Sequence, residues 1–346
     1  MSVSYSSVAI VILNWNGKAY LEQFLPSVIR FSKDARIIVA DNGSTDESIA
    51  FLKSTYPNIE LIQNADNGGF AKGYNDALKQ LKSDYYLLLN SDIEVTENWL
   101  EPLLERMKDP QVAGCQPKIR SYHHPSSFEH AGASGGFLDR NYYPFCRGRI
   151  VDQVEIDNGQ YDQITEVFWA TGAALLIRAD LFHEVGGFDE AFFAHMEEID
   201  LCWRIKKLGY SFYVVPSSVI FHVGGGTLPY LSPKKSFLNF RNSLFMLVKN
   251  HPGWLIPKLF WRMKLDGIAA VRFLLRGEFA HVGSVWNAHM ALYKRFPTLL
   301  RQRKSILKSV KDENMNGLYT GSVLWARYFK AIGRFSELNQ RLFIRK

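Results

Sequence analysis

Apolar residues in this chain come in short unbroken runs that stop at polar ones. Val8–Leu13 ends at Asn14-Trp15-Asn16-Gly17, Arg36–Ala40 at Asp41-Asn42-Gly43-Ser44, and Tyr85–Leu89 at Asn90-Ser91-Asp92, with a shorter run at Ile59–Ile62. Runs of this length bounded by turn residues predict strands buried in a parallel sheet. Between them apolar residues recur at helical spacing, as at Leu21, Phe24, Leu25, Val28 and Ile29, and another helix is predicted from about Glu47 to Thr55. The glycine-rich stretch 67–75 reads as a loop leading into a helix at 76–81, and Thr96–Leu100 reads as helical. Strand–helix alternation at this spacing predicts an α/β fold with a right-handed, doubly wound sheet. Ligands bind such sheets at their carboxyl edge, where Trp15, Asp41 and Asp92 should gather.

The second part of the chain has a different texture. Residues 118–168 are rich in Tyr, His, Gly and Arg and show no periodic core signal, so an irregular, functional loop region is expected. A strand at Ser217–Phe221 follows, and from Lys234 onward the pattern is helical. Between Trp254 and Phe296, Lys and Arg mix with Trp, Phe and Leu as in basic amphipathic helices, which lie on anionic membranes. An ordinary helical bundle packed on the sheet would give the same pattern. Residues 230–346 carry 22 Lys and Arg against 5 Asp and Glu, and the preceding 229 carry 19 against 29. This asymmetry divides the chain into an acidic part, 1–229, and a basic helical extension, 230–346.

Composition narrows the function classes. Cys115, Cys146 and Cys202 are scattered and odd in number, which excludes a disulfide framework or zinc site and fits a reducing compartment. No basic region followed by an apolar segment precedes the first strand, and no apolar run is long enough to span a membrane. The expected location is therefore cytoplasmic, with peripheral contact on the inner face of the plasma membrane if the 254–296 region binds lipid. Neither GxGxxG after the first strand nor GxxxxGK[ST] is present, which removes the main support for dinucleotide and P-loop readings. No nucleic-acid-binding pattern accompanies the basic charge.

Asp92, at the end of a buried strand, has two readings: a cap for the next helix, or a ligand for a hard cation that neutralises a diphosphate. A set of motifs in order bears on the choice. Val39–Asp46, Asn67–Asn75 and Leu89–Asp92 are followed by Ala170–Ala174, Gly186–Glu190, Glu197–Arg204 and Phe221–Thr227. Together they resemble family 2 glycosyltransferases of the GT-A fold, in particular the rhamnosyltransferase-like branch, over roughly residues 7–250.

The resemblance implies a mixed, mostly parallel sheet with a nucleotide half at about 7–115 and an acceptor half at about 116–229. It implies an inverting transfer of a sugar, with rhamnose favoured, from a dTDP- or UDP-linked donor to a glycan or lipid-linked acceptor in surface-polysaccharide assembly. Asn14, Trp15, Asp41, Gly69, Gly73, Asn75, Asn90 and Ser91 would then serve the nucleotide and donor. Asp92 and His222 would hold Mg²⁺ or Mn²⁺, and Gly172 and Asp189 would face the acceptor. Asn90 replaces the first acid of the family's DxD pair. The general base falls at Glu198, where the family has an aspartate, and Glu197 is the alternative. Asp200 is expected to pair with Arg204 one turn on. The two substitutions keep a second class open, a catalytically silent nucleotide-sugar-binding or membrane-scaffold protein.

Overall fold

The computed structural model describes residues 5–130, 132–224 and 232–345. The expected alternation is present: β1 (Val8–Asn14), α1 (Lys18–Phe31), β2 (Arg36–Asp41), α2 (Ser48–Thr55), β3 (Glu60–Gln63), α3 (Gly69–Leu78) and β4 (Tyr85–Asn90). β4, β1, β2 and β3 pair in parallel, in that order. The core strands are shielded on both faces, which is why β1 and β4 read as continuous apolar runs.

Two local expectations fail. Thr96–Leu100 is not a helix: the chain runs from β4 into β5 (Ile93–Val95), then a turn, and only then α4 (Glu101–Arg106). The glycine-rich stretch is not a loop either, because α3 begins at Gly69 itself. Its glycines permit close packing. A Cβ at Gly69 would meet Phe193 at 2.5 Å, and one at Gly73 would meet the Asn42 amide at 2.9 Å.

Beyond α4 the sheet becomes mixed. β6 (Val112–Ser121) leads into a second sheet of short strands, β7 (Gly136–Asp139), β8 (Pro144–Cys146), β9 (Arg149–Ile150) and β10 (Gln153–Val154). The region expected to be irregular thus carries an ordered sheet, with β7 and β9 buried and β10 exposed. Strands of two to four residues are too short to display a period of two. The chain returns through β11 (Thr165–Val167), β12 (Ala174–Arg178), α5 (Ala179–Glu184), α6 (Glu197–Lys206) and β13 (Ser211–His222). β12 inserts antiparallel between β4 and β6, and β13 runs parallel to β6 and antiparallel to β5 and β11.

The C-terminal extension is helical: α7 (Pro233–Asn250), α8 (Leu255–Leu275) and α9 (Phe279–Lys308). It then returns to the second sheet, where β14 (Leu318–Tyr319) pairs with β7 and α10 (Val323–Phe329) follows. Phe335 and Phe343 pack on Phe137, tilted and edge-on, at 4.9 and 5.5 Å between ring centres. A cleft of about 550 Å³ lies here, lined by residues including Arg147, Tyr161 and Phe343. It opens on the second sheet and not on the strand-end edge.

Candidate active site

Three strand ends meet at one edge. Sheet register places Asn14 opposite Asp41 and Leu13 opposite Asn90. The buried Asn14 amide donates to Asp41 Oδ1 at 3.0 Å and to Ser44 Oγ at 3.2 Å. Asp41 Oδ2 accepts the Ser44 N–H at 2.9 Å, so Asp41 closes a turn as well as standing at the edge. Asn14 Oδ1 is buried without a hydrogen-bond partner. A Cβ on Gly17 would meet that oxygen at 2.5 Å and Ser91 Oγ at 3.4 Å, which puts Ser91 beside Asn14. Trp15 is 42% exposed, so its ring belongs to the rim and not to the core.

Asp92 caps no helix. β5 pairs with the end of β13, with Ile93 opposite His222. This brings His222 Nε2 to 3.1 Å from Asp92 Oδ1 and 3.4 Å from the Asn90 side-chain nitrogen. Glu129 Oε2 lies 3.6 Å from the other ring nitrogen. Burial opposes charge on the ring, but Asp92 and then Glu129 outweigh it, and the imidazole is raised to about 10.

The donor set fits a hard cation of modest protein coordination. Mg²⁺ is commonly held by one or two carboxylates plus substrate phosphates and water, and a cation bound at Nε2 requires that nitrogen to be unprotonated. Among the described residues no group of three acid, His or Cys side chains forms a complete cage. Of the family's closing segment, Gly225, Gly226 and Thr227 lie outside the described residues.

α6 supplies the second half of the site. Its first turn carries Glu197, Glu198 and Asp200, and no side chain caps its N-terminus. Glu197 is buried and Glu198 half-buried, and each has a carboxylate oxygen without a hydrogen-bond partner. Burial raises both carboxyl groups. Glu197 goes well above the usual range, pushed further by Glu198, while amides at the helix start hold Glu198 down to about 7. The turn 171–173 connects this helix to the strand edge. Asn90 N–H donates to Ala173 O at 2.9 Å, and a Cβ on Gly172 would come within 3.7 Å of Glu198 Cβ. Gly172 also leaves room for Phe70, which such a Cβ would meet at 2.7 Å.

The approach to α6 is strained. Phe193, His195 and Met196 all have positive φ, at 65°, 71° and 72°. Such residues cost roughly 1–3 kcal/mol each and persist where the surroundings impose them. α7 imposes them here. Asn242 Nδ2 lies 2.9, 2.8 and 2.7 Å from the carbonyls of Phe192, Ala194 and His195, and Arg241 donates to those of Ala191 and Phe192.

The remaining expected residues have structural partners. Asn75 exchanges hydrogen bonds with the Phe188 backbone at 2.9 and 3.0 Å, tying α3 to the Gly186–Glu190 segment. Asp189 accepts from Ala191 N and pairs with Lys249 at 2.7 Å. Asp200 pairs with Arg204 as expected, and also with Lys249 and Asn250. Glu129 and Asn242 were not legible beforehand. Glu129 sits in the region without periodicity and is delivered by its N–H bond to Ile119 of β6. An asparagine inside an apolar helix was the available signal for Asn242.

The architecture is that of the GT-A fold. GalNAc-T7, solved with UDP, GalNAc and Mn²⁺, superposes with a TM-score of 0.57 at 17% identity, over 76% of this chain and 51% of its own. The mannosyltransferase PcManGT of Pyrobaculum calidifontis, solved with GDP-Man and Mn²⁺, gives 0.52 at 14% identity over 88% and 85%. Sequence comparison refines the class. A family model described as glycosyl transferase family 2 matches residues 7–153, and one described as glycosyl transferase family group 2 matches 85–230. The N-acetylglucosaminyl-diphospho-decaprenol L-rhamnosyltransferase of Mycobacterium tuberculosis (strain ATCC 25618 / H37Rv) is 25% identical over 321 residues, covering 88% of this chain and 98% of its own. Rhamnosyltransferase WbbL of Escherichia coli (strain K12) is 23% identical over 224 residues, covering 62% and 83%. Between them the two family models span residues 7–230, and the chain is related to family 2 glycosyltransferases of the rhamnosyltransferase-like kind.

Proposed function

We propose that the protein transfers a hexose, with rhamnose the favoured sugar, from a dTDP- or UDP-linked donor to a hydroxyl of a glycan or lipid-linked saccharide, with inversion. The observation that carries this reading is the meeting of Asn14, Asp41, Asn90–Asp92, His222 and the start of α6 at one sheet edge. Two relatives named as rhamnosyltransferases, one of them for an N-acetylglucosaminyl-diphospho-decaprenol, support the sugar and the lipid-linked acceptor. In this reading the nucleotide lies along Asn14–Asp41 with Trp15 over the base. Gly69, Gly73, Asn75 and Ser91 shape the donor side, and Gly172 and Asp189 shape the acceptor side.

Asp92 and His222 would hold Mg²⁺ or Mn²⁺. The ion would stabilise charge on the departing diphosphate. Glu198 takes the acceptor hydroxyl proton as that oxygen attacks the anomeric carbon and the carbon–diphosphate bond breaks. Glu197 is deeper and raised further, which suits a protonated neighbour better than a base. The chemistry would take place in the cytoplasm, against the membrane when the acceptor is lipid-linked.

A thermal-shift screen of nucleotide sugars with and without Mn²⁺ tests the reading. The expected result is stabilisation by a dTDP- or UDP-sugar that depends on Mn²⁺, is lost in Asp92→Ala, and is accompanied by nucleotide release when acceptor is supplied. Stabilisation without nucleotide release from any donor would instead identify a silent sugar-nucleotide-binding protein.

A further inference from the structure

α8 is built inside out. Of its 21 residues only Leu259, Arg262 and Asp266 are buried, and two of these are ions. Arg262 donates to both Asp266 oxygens, at 2.6 and 2.8 Å, and to Ser243 of α7 at 2.9 Å. Tyr143 of the second sheet and His289 of α9 also face Asp266. The polar seam of α8 is thus its attachment to the protein. Its opposite face is open and largely apolar: Ile256, Phe260, Ile268, Val271 and Leu275 are 55–83% exposed, and Lys264 lies among them with its ammonium 4.6 Å from the Phe260 ring centre. At 100° per residue the five apolar positions fall within one third of the helix circumference. Soluble helices place such a stripe against a core. Contiguous exposed apolar surface of this kind marks an interaction site.

The stripe continues onto a neighbouring element. The Arg272 guanidinium lies 5.0 Å from the Tyr328 ring centre, joining α8 to α10, where Phe329 is 71% exposed and stacks on Trp325. Charge identifies what covers the surface. Residues 255–308 hold eleven Lys and Arg against two acids, Asp266 and Glu278, and the buried Arg262–Asp266 pair cancels, leaving ten against one. A second copy would bring the same positive charge and be repelled, whereas an anionic headgroup layer is attracted to it. No helix among the described residues is long and apolar enough to cross a membrane. A bilayer contact made by these helices would therefore lie on the membrane and not span it.

We infer that the outer face of α8, continued by α10, is a docking surface for an anionic lipid bilayer, with the apolar stripe in the headgroup–acyl boundary and the basic side chains on the phosphates. This narrows the basic region 254–296 to one helix face and adds α10, which the sequence pattern did not include. The inference stands apart from the transfer reading, because binding is scored without any reaction.

The test is co-sedimentation of the full chain with vesicles of phosphatidylcholine alone or with phosphatidylglycerol added. The wild type is expected to partition onto the anionic vesicles at least about tenfold better than onto neutral ones, less so as salt rises. Phe260→Glu with Leu275→Glu is expected to cut binding at least about tenfold, with melting temperature and nucleotide release from the donor unchanged. Equal binding by the variant would overturn the assignment to this face. Failure of the wild type to bind anionic vesicles, together with a dimer in solution that the variant breaks, would assign the face to a second copy instead.

Discussion

α6 and α8 break the usual rule of helix burial in opposite directions. α6 buries nine of its ten residues, including Glu197, Asp200, Arg204 and Lys206. α8 buries three of 21 and turns its apolar face to solvent. In α6 most of the buried charge is compensated: Asp200 is held by Arg204, Lys249 and Asn250, and Lys206 by Glu166. Among the described residues its two glutamates have no countercharge, in the first turn of the helix that faces the strand edge. In α8 the buried ions are paired with each other and the apolar face is exposed among the described residues. The difference teaches where to look for function in this fold. An unrelieved carboxylate in a dry place points to chemistry, and an unrelieved apolar face in a wet place points to a partner.

The largest effect is expected at Glu198. Glu198→Gln is expected to lower the transfer rate at least about a hundredfold while the fold survives, the scale of losing a general base. Because burial lifts this carboxyl to about 7, it is ionised, and able to accept a proton, only above that pH. Wild-type kcat/KM should therefore fall about tenfold per pH unit below about 7 and level off above it. An acidic limb near pH 4.5 would remove Glu198 as the base.

Asn242 sharpens the contrast by separating the helix from its support. Asn242→Ala leaves the carbonyls of Ala194 and His195 without this donor, while that of Phe192 keeps Arg241. A buried polar group deprived of its partner costs roughly 1–3 kcal/mol. The expected outcome is a lower melting temperature and a kcat reduced about tenfold with KM for donor little changed, in keeping with kcal-scale losses of positioning. A variant that loses stability but keeps kcat would reduce Asn242 to a purely structural role.

Glu197 is where the smallest effect is expected. Its folded-state carboxyl is raised well above the usual range, so ionising it costs stability. The protonated form is favoured in the fold, and that stabilisation is lost as pH rises above the unfolded value. Glu197→Gln, which mimics the neutral acid, should therefore raise the melting temperature at pH 8 by the equivalent of roughly 1 kcal/mol and change little at pH 4. Loss of transfer as deep as in Glu198→Gln would make Glu197 the base instead.

The nucleotide half was read well from sequence because its signals are local. β1, β2 and β4 are runs buried on both faces, and each ends within a residue of its expected position. The errors are local too. Glycines at 69 and 73 looked like loop residues, yet they let α3 pack against Phe193 and Asn42. The acceptor side was less legible, since β7–β10 are too short for periodicity and β14, which completes their sheet, lies some 180 residues downstream.

By itself the sequence determined the α/β alternation, the strand-end edge, the acids at 197–200 and the charge asymmetry, all of which depend on neighbours in the chain. Tertiary structure decided the rest. It set Asp92 against His222, 130 residues away, through the pairing of β5 with β13. It placed Glu129 on the far side of that ring, buried Glu197 more deeply than Glu198, and fixed the strained entry to α6 with Asn242. It also turned the apolar face of α8 outward by giving its polar face a buried ion pair to hold. Burial and long-range pairing are properties of the packed chain. A residue pattern states which side chains differ in polarity, and only packing states which of them meet water.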